Sequence, residues 1–113
     1  MHFDFARKTI PVNIKVNVLD HIFLETKLVE PILIKIDVQG FEDQVINGGN
    51  NTLKKCKVII IEVSFKELYL GQPMFDDIYK RLSALGFKYS GNYEQLVSPV
   101  DGEILQADAV FIR

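Results

Sequence analysis

The sequence predicts a single α/β domain whose sheet has a parallel centre and an antiparallel edge strand. Three observations carry that expectation. Two apolar runs rich in β-branched residues, Ile32 to Val38 and Val58 to Ser64, are separated by a short helical stretch, as in a β-α-β crossover. Phe75, Ile78, Tyr79, Leu82 and Leu85 then recur at helical spacing. Finally, the tail from Phe87 to Arg113 holds short β-like runs around Asp101-Gly102, a hairpin-type turn. With 113 residues, 48% of them hydrophobic, the chain fills one core over residues 1–113 and has no room for two.

Taken in order, residues 1–30 form a leading strand and a short helix. Ile10, Val12, Ile14, Val16 and Val18 occupy even positions, with Asn13, Lys15 and Asn17 opposite them. A period of two predicts a half-buried strand. Asp20 stands where a helix N-cap would, ahead of Ile22, Phe23 and a charged stretch to Glu30. Pro31 opens the strand Ile32 to Val38, which is apolar on both faces except at Lys35 and Asp37 and therefore reads as buried on both sides. Phe41 to Asn47 reads as a helix stopped by Gly48-Gly49, with Asn51 able to cap a further turn through Lys55. Val58 to Ser64 is the most apolar strand. In the long helix, Asp76 and Asp77 suit the first turn, Lys80 and Arg81 the later ones, and Gly86 the end. Ala109 to Ile112 is a last strand.

Composition removes several functions. Lys and Arg number 13 against 15 Asp and Glu, a net charge of -2, so there is no basic stripe to displace counterions from nucleic acid. No apolar run approaches the ~20 residues that span a bilayer, and the polar start, Met1 to Thr9, does not read as a signal peptide. One cysteine, Cys56, rules out an internal disulfide and a cysteine-based zinc site, which suits a reducing, cytoplasmic setting. The lysines beside Cys56 would lower its pKa, but no histidine is near it in sequence. His21 reads as decoration of a helix start, and His2 is terminal. Tyr69, Tyr79, Tyr89 and Tyr93 read as packing residues. No G-x-G turn of the nucleotide-binding kind is present.

The chemistry-bearing residues gather at the ends of the two parallel strands, where open α/β sheets bind ligands. Lys35, Asp37 and Gln39 alternate onto one face, and Glu62 and Ser64 end the second strand. If the strands are neighbours, Asp37 and Glu62 share a rim. Gly40 permits close approach of a backbone or ligand, and Glu42 follows in the next helix. The same residues also fit a structural ion-pair network, with Lys35 paired to Asp37 or Glu62 and Gly40 serving only the turn. Spacing does not decide between these readings. A divalent metal between Asp37, Glu42 and Glu62 would need a geometry that spacing does not define, and no metal site is expected.

The run Ile34-Lys35-Ile36-Asp37-Val38-Gln39-Gly40-Phe41-Glu42, followed by Val45, Gly48-Gly49 and Leu53, resembles the central motif of the FkbM family of S-adenosylmethionine-dependent methyltransferases. Ile59-Ile60-Ile61-Glu62-Val63, Leu68-Tyr69, Gly86-Phe87 and Ala107 to Arg113 continue the resemblance, and Val16 to Asp20 is similar to the step that precedes the motif. The resemblance implies a Rossmann-like methyltransferase sheet and O-methylation of a small hydroxyl-bearing metabolite or sugar. It implies Asp37 and Glu62 as catalytic, Asp37, Gln39 and Gly40 beside the cofactor, and Lys35, Glu42 and Ser64 along the acceptor rim.

It also covers only the C-terminal half of such an enzyme. The glycine-rich cofactor loop and the ribose-binding acid of the family have no counterpart here, so weak or absent binding of S-adenosylmethionine is expected of this chain alone. Three readings stand: a truncated enzyme, one half of a split enzyme, and a non-catalytic remnant or interaction module on the same scaffold. The strand Ile32 to Val38 would lack its family neighbour. The segment Ile10 to Val18 is expected to cover that edge, with self-association or a missing N-terminal half as the alternative.

Overall fold

The computed structural model describes residues 9–113; His2 and the polar start of the chain lie outside them. The elements in chain order are α1 (Leu19–Ile22), β1 (Leu33–Ile36), α2 (Glu42–Asn47), α3 (Asn50–Leu53), β2 (Val58–Ser64), α4 (Phe75–Ala84), β3 (Lys88–Val97) and β4 (Ile104–Ile112). The strands form one sheet in the order β1-β2-β4-β3. β1 and β2 are parallel, while β4 runs antiparallel to both β2 and β3.

The fold is therefore α/β with a mixed sheet, and the expected parallel centre needs correction. The parallel pair lies at one edge; the inner pair, β2 with β4, is antiparallel. The tail is a long hairpin rather than a set of short runs. Ala107 and Ala109, two small residues, let β4 sit under the helices and serve as the second inner strand.

All the packing lies on one face. Ile34 and Ile36 of β1, Ile59, Ile61 and Val63 of β2, and Ala107, Ala109 and Phe111 of β4 stand in register there. Ile46, Leu53, Ile78 and Leu82 cover them from the helices. Alternation makes this possible, because every second residue of each strand points the same way. The helix α4 keeps its predicted stripe, burying Ile78 and Leu82. It ends on Gly86 at φ +93°, where Gly86 N–H donates to the Ser83 carbonyl and Phe87 N–H to that of Leu82, both at 3.0 Å. Phe75 at its start stacks on Phe65 and meets Tyr89 edge-on, each with centroids 5.2 Å apart, and Tyr89 in turn packs on Phe111.

The other face has no helix over it. Leu33 is 58% exposed and Lys35 is exposed, so β1 is not buried on both sides as its composition suggested. The leading segment departs from expectation too. Residues 10–18 form no strand, and Ile10, Val12, Ile14 and Val16 are 74–87% exposed. The outer edge of β1 consequently has no neighbour among the described residues.

The chain is anchored just after that segment. A Cβ on Gly48 would sit 2.7 Å from Val18 Cβ, and one on Gly49 would sit 2.9 Å from Leu19 Cδ1, so the glycine pair accepts Val18-Leu19 as well as ending α2. Asp20 does not cap its own short helix. Its carboxylate accepts hydrogen bonds from Asn51 N–H (3.0 Å), Thr52 N–H (2.7 Å) and the Thr52 hydroxyl (2.7 Å), capping α3 in place of Asn51. Desolvation pushes the Asp20 carboxyl up, but these bonds outweigh it and hold the group below its ordinary range.

Candidate active site

At the carboxyl ends of β1 and β2 the strand register sets up a row of acids. Ile36 pairs with Ile61, so the next residues, Asp37 and Glu62, project side by side from the open face. Glu62 is opposite Asp108 on β4, and Asp108 is opposite Glu94 on β3. Four carboxylates thus cross the whole sheet. With Gln95, Leu96, Gln106 and Ala107 they line a crevice of about 280 Å³. Directly opposed like charges destabilise a sheet, so the row has an energetic cost. Lys54, Lys55, Lys57 and Arg113 gather around a second hollow at the opposite rim, so the molecule is electrically polarised along its strands.

The cost is met by a proton. Burial, then the hydrogen bond and charge of Asp37, then the charges of Glu42 and Asp108, raise the Glu62 carboxyl to about 7. Glu62 therefore holds its proton through mildly acidic conditions and hydrogen-bonds Asp37.

The remaining predicted residues divide. Gln39 joins the pair: its Nε2 donates to Asp37 Oδ1 at 3.3 Å, and its backbone has a positive φ of +53°. Gly40 has φ +100°, a region L side chains rarely adopt, so the glycine is required by the turn itself. Glu42 is buried beneath the turn. Its Oε1 accepts Gly40 N–H at 3.0 Å, and its Oε2 accepts Gly40 N–H at 3.2 Å and Val38 N–H at 3.3 Å. Burial raises its pKa against the lowering effect of those amides. Glu42 thus shapes the rim from below, its carboxylate turned to the loop. Ser64 is likewise buried, its hydroxyl accepting from Gln72 Nε2 at 2.8 Å.

Lys35 stands on the open face one step behind Asp37 and makes no ion pair with Asp37 or Glu62; the described pairs are Lys66 with Glu103 and Arg81 with Asp77. The structural network imagined for Lys35 is not formed. Among the described residues no group of acids, histidines and cysteines has metal-holding geometry. The expected activation of Cys56 is reversed. The thiol is buried, donates to the Thr52 carbonyl at 3.5 Å, and is pushed up by burial more than the Arg113 charge lowers it. His21 bonds Asn17 Oδ1 through Nδ1 at 2.8 Å, and the described ion pairs do not include it.

Sequence reasoning passed over Asp108, Glu94, Gln72 and Tyr69. The first two were visible in principle, since Ala107-Asp108-Ala109 alternates and turns Asp108 away from the two buried alanines. Gln72 and Tyr69 lie in the loop after β2, where no periodicity speaks for them. Gln72 is buried and clamps the loop, its Oε1 accepting Leu68 N–H (2.5 Å) and Tyr69 N–H (2.7 Å).

A mixed four-stranded sheet with a parallel β1-β2 pair and helices packed on it defines a domain of the α/β class. Comparison with known proteins says which one: the methyltransferase FkbM domain matches residues 2–89, and the chain belongs to that family. A 70-residue stretch is 40% identical to the 2-O-methyltransferase NoeI of Sinorhizobium fredii, covering 62% of this chain and 29% of that protein. The chain thus matches less than a third of the relative's length. No solved structure matches. Among the described residues no helix is long and apolar enough to cross a membrane.

Proposed function

We propose that this chain is the acceptor-side half of an S-adenosylmethionine-dependent O-methyltransferase, with Asp37 as the proton acceptor and Glu62 as its partner. The observation that carries the reading is the placement of two carboxyls, Asp37 and Glu62, side by side at the ends of β1 and β2, on the face left open for a ligand. Family membership and a relative named as a 2-O-methyltransferase support methyl transfer to oxygen.

S-adenosylmethionine, when bound, supplies a methyl group activated by a cationic sulfonium. A crevice of carboxylates suits such a cation electrostatically, so Asp37, Gln39 and Gly40 fit one flank of it. The chain offers no glycine-rich loop for the other flank. Asp37 would accept the acceptor hydroxyl's proton as oxygen becomes the nucleophile, and the rigid turn held by Glu42 would fix where that carboxylate points. The acid row disfavours phosphorylated or carboxylated acceptors and favours a neutral hydroxyl compound or sugar unit. The missing flank would come from an N-terminal half that covers the outer edge of β1, in the same chain or another. The exposed, strand-patterned segment 10–18 supports that arrangement over a self-sufficient enzyme.

Two measurements test this. Calorimetry on the 113-residue chain should give no saturable micromolar binding of S-adenosylmethionine; such binding would remove the need for a second half. In an enzyme reconstituted with that half, Asp37→Asn should lower turnover at least ~100-fold with folding retained. Unchanged turnover would reject Asp37 as the proton acceptor.

A further inference from the structure

The loop after β2 reaches across to the loop after β1. Its buried clamp, Gln72, bonds the amides of Leu68 and Tyr69 on one side and the Ser64 hydroxyl on the other, so the backbone of Tyr69 is fixed relative to the end of β2. From there the Tyr69 side chain lies over Gly40, with its Cβ and Cδ2 3.6 Å from the point a Cβ on Gly40 would occupy. Its hydroxyl donates to Gln39 Oε1. Gln39 has one amide oxygen and one amide nitrogen; once the oxygen is taken, the nitrogen faces Asp37 Oδ1. Three residues from two loops thus make a single relay, Tyr69 to Gln39 to Asp37, which ends beside Glu62 of β2.

The backbone of Gln39 supports a dedicated role for this arrangement. A non-glycine residue at φ +53° is strained and persists only where its surroundings hold it. A side chain pinned at both ends of its amide supplies that hold.

We propose that Tyr69 is a positioning residue that acts through Gln39 to make Asp37 the proton-accepting member of the acid pair. The inference rests on the reading of Asp37 and Glu62 as that pair. An N–H donated to a carboxylate stabilises the anion over the acid. Gln39 makes that donation to Asp37, which is thereby the member placed to take the acceptor hydroxyl's proton. Glu42 from α2 and Asp108 from β4 press on Glu62 in the same direction, and Lys35 stands on the same face of β1. Burial and those charges act on Glu62, whereas the relay reaches Asp37. Tyr69 touches neither acid directly.

The test is a side-chain carboxyl titration of the ¹³C-labelled 113-residue chain by NMR, in the wild type, Tyr69→Phe, Gln39→Ala and the double variant. Tyr69→Phe removes only a hydroxyl and leaves the Gln72 clamp on the backbone, so the fold is kept. In the wild type the pair titrates in two steps, the upper near 7 and carried by the Glu62 signal. Loss of the relay destabilises every state in which Asp37 is the anion. The lower step then rises while the upper stays, narrowing their separation by about half a pH unit or more, and Glu62 loses part of its amplitude in the upper step. In the Gln39→Ala background, Tyr69→Phe should add nothing. Identical titrations in wild type and Tyr69→Phe overturn the proposal, as does an undiminished effect of Tyr69→Phe without Gln39. A lowered Tm with unchanged titration assigns Tyr69 a merely structural part and overturns it equally. If Glu62 in the wild type titrates independently of Asp37, the acid pair itself fails and takes this inference with it; a coupled pair indifferent to Tyr69 sinks the inference alone.

Discussion

The two faces of this sheet are made from the same four strands and have opposite fates. One face is closed by α2, α3 and α4 over a continuous layer of Ile, Val, Ala and Phe. The other keeps Leu33 exposed at one end and a row of carboxylates at the other. The buried core is thus concentrated on the first face and the candidate site on the second. The difference teaches that a strand's composition reports how much apolar surface it carries, while the rest of the chain decides how much of that surface is covered.

The sharpest way to break this comparison is a pair of truncations. Phe111→Ala empties a fully buried site under Tyr89 and should cost about 3–5 kcal/mol, read as a large drop in Tm or loss of folding. An intermediate effect is expected at the rim. The folded pKa of Glu62 lies above its ordinary value of 4.5, so its contribution is fully present below about 4.5 and is lost as pH rises through about 7. Glu62→Gln removes that loss. Discounted for partial exposure, the variant should gain about 1 kcal/mol at pH 8 and nothing near pH 4; urea unfolding at the two pH values checks it, and a gain at pH 4 would contradict the proton held on Glu62. Smallest is Leu33→Ala, on the open face, which should cost less than about 1 kcal/mol in the chain alone. Repeating it with the proposed N-terminal half present sharpens the comparison, since a larger cost there would support that half as a cover for β1.

How much of this was legible in the sequence follows from the range of each interaction. The strand pair, its acidic tips, α4 and the Asp101-Gly102 turn are local patterns, and they stand where the residues implied. The 10–18 segment has a strand's alternation but no partner, and alternation alone cannot supply one. Asp20 looked like a local cap because its true target, Thr52, is 32 residues away. The order of the strands was hidden for the same reason: nothing in Ile104 to Ile112 announces that it will sit inside β2 and β3. Tyr69 and Gln72 act through side-chain hydrogen bonds in a loop, where sequence carries no periodic signal.

That strand order has a consequence for biosynthesis. The central seam of the sheet closes only when β4, the last of the four strands, emerges, so β2 leaves the ribosome with one flank bare and β3 without a partner. At ~5–20 residues per second the interval between the end of β2 and the end of β4 is a few seconds. During that time the nascent polypeptide has only a two-stranded parallel fragment and an unpaired ribbon, a window in which holdase chaperones or neighbouring nascent chains compete for both. A stop codon ahead of Ile104 would yield no smaller version of the fold, only its two unjoined parts.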